Sequence, residues 1–197
     1  MAEGEPRKSY TGWIILGVIV LFLLWGFGSY NSLVSIDTKV EQRWGNVQTA
    51  YQRRADLIPN LVAVVQQYSD YEGDLLKEVT KSRASIGSAR TPAELQSAGN
   101  ELNSALSRLL VVVENYPDLK ANQNYLDLQV QLEGTENRIN SERNYYNEDT
   151  REYKRKIRSF PSNIMASMFG FEESKWQMFQ AEEGAQKSPD VKQLFDK

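Results

Sequence analysis

The chain has 197 residues, long enough for one domain with its own core plus attachments, and 23 basic against 26 acidic residues leave a net charge of only −3. That balance lacks the basic excess of a nucleic-acid binder, so no nucleic-acid partner is expected. The absence of cysteine and histidine excludes disulfides, thiolate nucleophiles, Cys-rich metal sites, the usual serine and cysteine triads and the His-bearing di-iron motif of ferritin-like bundles.

In chain order, residues 1–9 (MAEGEPRKS) form a polar tail with the composition of a disordered segment. Residues 10–30 read as a short transmembrane helix: Gly12 to Gly28 carry no charge, and Trp13, Trp25 and Tyr30 stand near the ends as interfacial anchors. The competing reading is a cleaved signal peptide with Gly26 and Gly28 before the cut. No Ala-x-Ala site follows, and the aromatic flanks favour a permanent anchor. Arg7 and Lys8 on one side nearly balance Lys39 and Arg43 on the other. The short basic tail leans toward a signal anchor, which sends the rest of the chain outside the cytoplasm.

From residue 31 onward the pattern is helical. Leu33, Ile36, Val40, Trp44, Val47, Tyr51, Arg54, Ile58, Leu61, Val65 and Tyr68 follow at three- and four-residue steps, a heptad-like seam that keeps its phase through Pro59. The stretch RRADLIPNLV (53–62) has no glycine and no run of turn formers, so a kinked helix is favoured over a hairpin, with Asp56 available to cap the freed backbone. Leu75, Leu76, Val79 and Ile86 extend the face to a stop at Gly87. Such a helix, residues 31–86, is on the order of 80 Å long. TPAE (91–94) reads as a capping box, opening a helix with Leu95, Leu102, Leu106, Leu109 and Val113 that ends before Pro117. A long run begins near Leu119, its seam marked by Tyr125, Leu128, Leu132, Ile139, Tyr146, Tyr153, Ile157 and Phe160. After Pro161 a short apolar helix restarts, with Ser162 or Asn163 as cap. Residues 172–197 form a largely polar tail holding Trp176 and Phe179, with a turn at SPD (188–190). No strand-like alternation is present, so the expected class is all-α: three long helices and a shorter C-terminal fourth over residues 31–171.

The next helix is too short to cover the membrane-proximal seam of Leu33, Ile36, Val40, Trp44, Val47 and Tyr51. Each fully buried apolar side chain contributes about 1.5–3 kcal/mol, so leaving them bare is costly. Self-association through this seam as a homo-oligomer is therefore expected; cover by residues 162–185 is the alternative. Arg54 lies on the seam and needs an acidic partner if buried, for which Glu133 and Glu136 qualify. Arg53, Arg54, Asp56, Pro59, Glu133, Glu136 and Arg138 make up the candidate joint and ion network. Its functional reading is a carboxylate pair for acid–base chemistry or metal binding; its structural reading, favoured because no histidine or glycine-rich loop accompanies it, is the fixing of helix register. Arg151, Lys154, Arg155, Lys156 and Arg158 precede the apolar FPSNIMASMFGF. They suit either anionic lipid headgroups or a helix C-terminus beside core residues.

YNSLVSIDTKVEQRWGNVQTAYQRRADLIPNLV (30–62), YPDLKANQNYLDLQVQLEGTENRI (116–139), YN (146–147) and SFPSNIMASMFGF (159–171) together resemble the LemA family of bacterial membrane proteins. The resemblance implies one N-terminal transmembrane helix followed by an antiparallel up-and-down bundle, usually of four helices, in the bacterial inner membrane. It supplies no catalytic residues and no cofactor. The functional expectation is a non-enzymatic, membrane-anchored scaffold that binds protein partners; the alternative is a lipid-interacting protein that organises or remodels membrane.

Overall fold

The computed structural model describes residues 11–68 and 74–180. The expected polar tail at 1–9 and the turn at 188–190 lie outside the described residues. The helices are α1 (Thr11–Gln66), α2 (Asp74–Ser88), α3 (Pro92–Glu114), the single turn α4 (Pro117–Lys120), α5 (Gln123–Arg158) and α6 (Ser162–Phe169), followed by a 3-10 turn at Glu173–Lys175. Among the described residues there is no strand, and the all-α expectation holds.

Pro59 lies inside α1, so the chain does not reverse at RRADLIPNLV. Asp56 does not cap the backbone there; it accepts from Gln52 at 3.0 Å and pairs with Arg83 of α2 at 2.7 Å. The first long helix ends at Gln66 and not near Ile86. Gln67 and Tyr68 close it with bonds to the carbonyls of Val64 and Val65, at 3.3 and 3.0 Å. Periodicity carried the longer expectation past Gln66, because the apolar steps resume in the sequence at Val79 and Ile86. The capping box is present as expected, with Thr91 bonded to the Glu94 amide and the Glu94 carboxylate reaching back. α5 begins at Gln123 and not at Leu119, because the Asn122 side chain accepts from the amides of Asn124 and Tyr125 at 2.9 and 3.2 Å. α6 has no side-chain cap from Ser162 or Asn163 and ends on Gly170, whose φ of 74° suits a residue without a Cβ.

The chain divides into two compact bodies. The first takes α1 as far as Glu41 together with Arg151–Trp176. Its part of α1 begins with an apolar run whose side chains, from Trp13 to Leu24 and at Phe27, face outward. This helix is long and apolar enough to cross a membrane. Beyond the run, Leu33, Ile36 and Val40 are buried, and α5 lies antiparallel alongside: Lys156 donates to Ser32, while Lys39 pairs with Glu152 at 3.9 Å.

The second body comprises Gln42–Thr150 and the segment from Gln177. Here too α1 and α5 are antiparallel, since Arg43 meets Asp149 and Arg54 meets Glu136. α2 and α3 form a helical hairpin tied by Arg108 and Glu78. α1 joins this hairpin closely at Gly99, where an added Cβ would stand 2.5 Å from the Tyr51 ring. The Gln48 amide donates to the Ala89 carbonyl at the hairpin turn.

Leu33, Ile36, Val40, Val47 and Tyr51 are all buried within the single chain, and Trp44 packs on Tyr146 and Phe179. The premise of the expected oligomer seam, that these side chains lack cover in their own chain, is thereby corrected: they are covered from inside. The cover comes partly from the segment after Glu172, within the alternative of residues 162–185, and partly from α5, which returns antiparallel along α1.

Candidate functional site

Two interlocking periodicities build the polar interior. On α1, Leu33, Val40, Val47, Arg54 and Leu61 recur every seventh residue and all are buried, so Arg54 occupies a row otherwise made of aliphatic side chains. On α5, Leu132, Ile139, Tyr146 and Tyr153 form one heptad row, and Thr135, Glu142, Asp149 and Lys156 form another. The second row is polar yet turned inward: Thr135, Glu142 and Asp149 are all buried.

A buried ion is tolerated where an opposite charge and hydrogen bonds replace its water. Arg54 meets Glu136, one of its two expected partners, and burial pulls the guanidinium pKa down while Tyr51 pulls it back up. Glu133 instead is exposed and accepts from Gln129 at 3.5 Å. Arg138 pairs with Glu142 at 2.6 Å, and Glu142 lies 3.9 Å from Arg43, whose Nε donates to Asp149 at 3.0 Å. The expected single network is thus three: Arg54 with Glu136, Asp56 with Arg83, and a chain of Arg138, Glu142, Arg43 and Asp149. Arg43, Glu142 and Asp149 were missed, although seven-residue spacing marks Glu142 and Asp149 as inward. Polar residue type hid them from a search for apolar rows.

Arg53, exposed, lines an open groove of about 520 Å³ between α1 and α5 with Asn46, Thr49, Ala50, Gln131, Gly134, Thr135 and Arg138. Its walls offer two amides, two hydroxyls and two guanidinium groups. No group of three or more potential metal-ligating side chains occurs among the described residues. Chemically the groove can donate hydrogen bonds and positive charge to a polar, extended surface.

The segment after α6 was expected as a polar tail, and its first part is instead folded onto the helices. In the first body, the Tyr153 hydroxyl donates to the Glu172 carbonyl at 3.1 Å, and Lys175 and the Trp176 indole both reach Asp37, at 2.7 and 2.8 Å. Arg158 grips Glu173, which keeps that carboxyl below its ordinary pKa. In the second body, Tyr146 donates to the Gln177 carbonyl at 2.8 Å. The Asn147 side chain pairs with both backbone groups of Phe179, donating at 3.1 Å and accepting at 2.9 Å. The Phe179 ring sits against Trp44, Tyr146 and the Arg143 guanidinium.

The cations expected to face lipid are therefore partly spent: Lys154 and Arg158 meet Glu173, and Lys156 meets Ser32. Arg151 and Arg155 stay exposed.

Burial pushes the phenols of Tyr146 and Tyr153 up to about 12; the neighbouring Thr150 side chain opposes this at Tyr146, and Asp37 and Glu172 add to it at Tyr153. A folded-state pKa above the unfolded value of about 10 means that the folded chain holds protons the unfolded chain releases. The stability these phenols add is complete below pH 10 and is lost as pH climbs toward 12. Thermal melts from pH 9 to 12 should show the midpoint falling across that window, with a shallower fall in Tyr146→Phe and Tyr153→Phe; identical slopes would count against the assignment.

The LemA family model matches residues 43–193. The chain is 24% identical over 208 residues to magnetosome protein MamQ 2 of Paramagnetospirillum magneticum, covering 89% of this chain and 76% of that protein. It is 24% identical over 167 residues to protein LemA of Metamycoplasma hominis, covering 83% and 74%. To magnetosome protein MamQ of Magnetospirillum gryphiswaldense it is 23% identical over 203 residues, covering 87% and 75%.

Proposed function

The chain belongs to the LemA family, and from that premise we propose that it is a non-enzymatic, membrane-anchored helical scaffold that binds protein partners at the bacterial inner membrane, its bundle on the extracytoplasmic side. The observation that carries this reading is α1 itself. One helix supplies the outward-facing apolar run, Arg43 and Arg54 without interruption, so the folded bundle is built onto its own anchor. Cleavage near Gly26 or Gly28 would cut through the middle of that helix.

The charged side chains support a binding role over a catalytic one. A poised acid, base or nucleophile needs an open side and a pKa matched to its task. Glu136, Glu142, Asp149 and Asp56 are each matched to a guanidinium. The α1–α5 groove, with Arg53 and Arg138 on its walls, is the surface offered to an acidic or polar partner segment. Self-association is not needed in this reading, because the seam that suggested it is buried within one chain.

Photo-crosslinking residues at Arg53 and Gln131, with exposed Val130 for comparison, test the proposal in intact membranes. A discrete heterologous adduct from the groove positions is expected. No adduct, or adducts only between copies of the chain, would contradict it. The alternative, a lipid-interacting protein that organises or remodels membrane, is favoured by one observation: Phe160, Met168 and Phe169 remain exposed. Deformation of vesicles by the purified chain would support that alternative.

A further inference from the structure

α6 carries apolar side chains on a buried and on an exposed face. Met165 and Ala166 are buried, while Ile164, Met168 and Phe169 are exposed, as is Phe160 just before the helix at 80%. Ile164 and Met168 lie four residues apart on α6 and so share a face, and Phe160 precedes the helix. No charged residue occurs from Ser159 to Phe171. Asn163 and Ser167 form an exposed polar strip, but the apolar side chains lie on two faces, and an apolar face outside the core calls for an apolar surrounding such as lipid.

Its neighbours fix its depth. The Met165 methyl carbon lies 3.7 Å from where a Cβ on Gly26 would stand. The Tyr30 ring meets Phe169 with centroids 4.7 Å apart and Phe171 at 6.1 Å. Gly26 lies inside the uncharged run that begins at Gly12. A hydrocarbon core of about 30 Å takes roughly 20 helical residues at about 1.5 Å each. A span entering at Trp13 therefore leaves near Ser32, and Gly26 lies about 9 Å inside that exit. Even a span confined to Gly12–Gly28 keeps Gly26 about 3 Å inside. A segment that packs on Gly26 reaches the same depth.

We propose that α6, with Phe160, is a second membrane-embedded element: it lies beside the transmembrane part of α1 and places Phe160, Ile164, Met168 and Phe169 among acyl chains. The proposal rests on the reading that α1 crosses the membrane. The occupant of this face is lipid, because the face continues the outward-facing apolar surface of the span, where Phe27 is 68% exposed. Insertion is apolar in origin, since residues 159–171 carry no charge and three of the five cations before them, Lys154, Lys156 and Arg158, are engaged within the chain.

The chain has no cysteine, so single cysteines can be labelled without background. Nitroxide labels go on Phe160→Cys and Met168→Cys, with Phe27→Cys as the reference in the span and Val130→Cys as the reference in the second body. Each full-length variant is reconstituted in phosphatidylcholine vesicles, with and without phosphatidylglycerol. Collision with dissolved oxygen is compared with collision with a water-soluble nickel chelate. All four positions are exposed, so the substitutions leave the core intact. The oxygen-to-nickel ratio at 160 and 168 is expected to match position 27, several-fold above 130, in both lipid mixtures. A ratio matching position 130 would overturn the proposal. Shielding from both reagents, as under a protein partner or a second copy, would overturn it too, as would insertion only with anionic lipid. None of these outcomes depends on whether the groove binds a protein, so this proposal and the scaffold reading fail separately.

Discussion

Phe179→Ala should destabilise the full-length chain by about 3 kcal/mol in a denaturant titration, at the lower end for a buried Phe truncated to Ala. The residue lies in a stretch that reads as polar tail, but its ring is 6% exposed and packs against Trp44 and Tyr146. Its backbone N–H and C=O are both held by the Asn147 side chain. Asn147→Ala leaves both backbone groups without that partner and should cost about 1–3 kcal/mol. Because ring and clamp hold one segment, the two substitutions should not add; a double-mutant cycle should show a coupling of roughly 1 kcal/mol or more. Changes within about 0.5 kcal/mol of wild type for both, the range of ordinary surface substitutions, would mean the segment rests on the bundle without stabilising it.

Glu136→Gln should have the second-largest effect. Removing one partner of a fully buried ion pair typically costs about 3–5 kcal/mol, because the other charge is left without compensation. Arg54 is buried, but the Glu136 side chain is 40% exposed, so water can take part of its place. A loss of about 2 kcal/mol is the expected result. Replacing both residues with apolar ones of similar volume, Arg54→Met with Glu136→Leu, should recover most of it, since the heptad row on either side of Arg54 is already aliphatic. A double variant as unstable as the single one would show that the pair fixes the register of α1 on α5 in a way packing cannot replace.

These two sites show what the sequence made legible and what it hid. The course of α1 through Pro59 was readable because the apolar positions keep their phase across it, and the need of Arg54 for a carboxylate followed from its place in that row. The capping box at Thr91 was readable because four adjacent residues carry the whole mechanism. The end of α1 at Gln66 was not, since the turn formers after it sit between two stretches that happen to share a period. Cover of the α1 seam was open to the sequence only as an alternative, through residues 162–185, and its details were hidden for another reason. It comes from α5 and from Glu172–Gln180, and nothing local in an extended polar segment announces that Asp37 and Asn147 will bind its backbone and side chains. The inward polar row of α5 was legible in principle, from the seven-residue spacing of Thr135, Glu142 and Asp149, once burial is not equated with apolar character.

The account stands or falls on α1 remaining whole, since one helix is both anchor and structural member. Intact mass spectrometry of the chain extracted from carbonate-washed membranes tests this most directly. The predicted result is a chain that retains Gly12–Tyr30 and stays in the washed membrane fraction. A shorter chain beginning after Gly28 and recovered in the soluble fraction would contradict it.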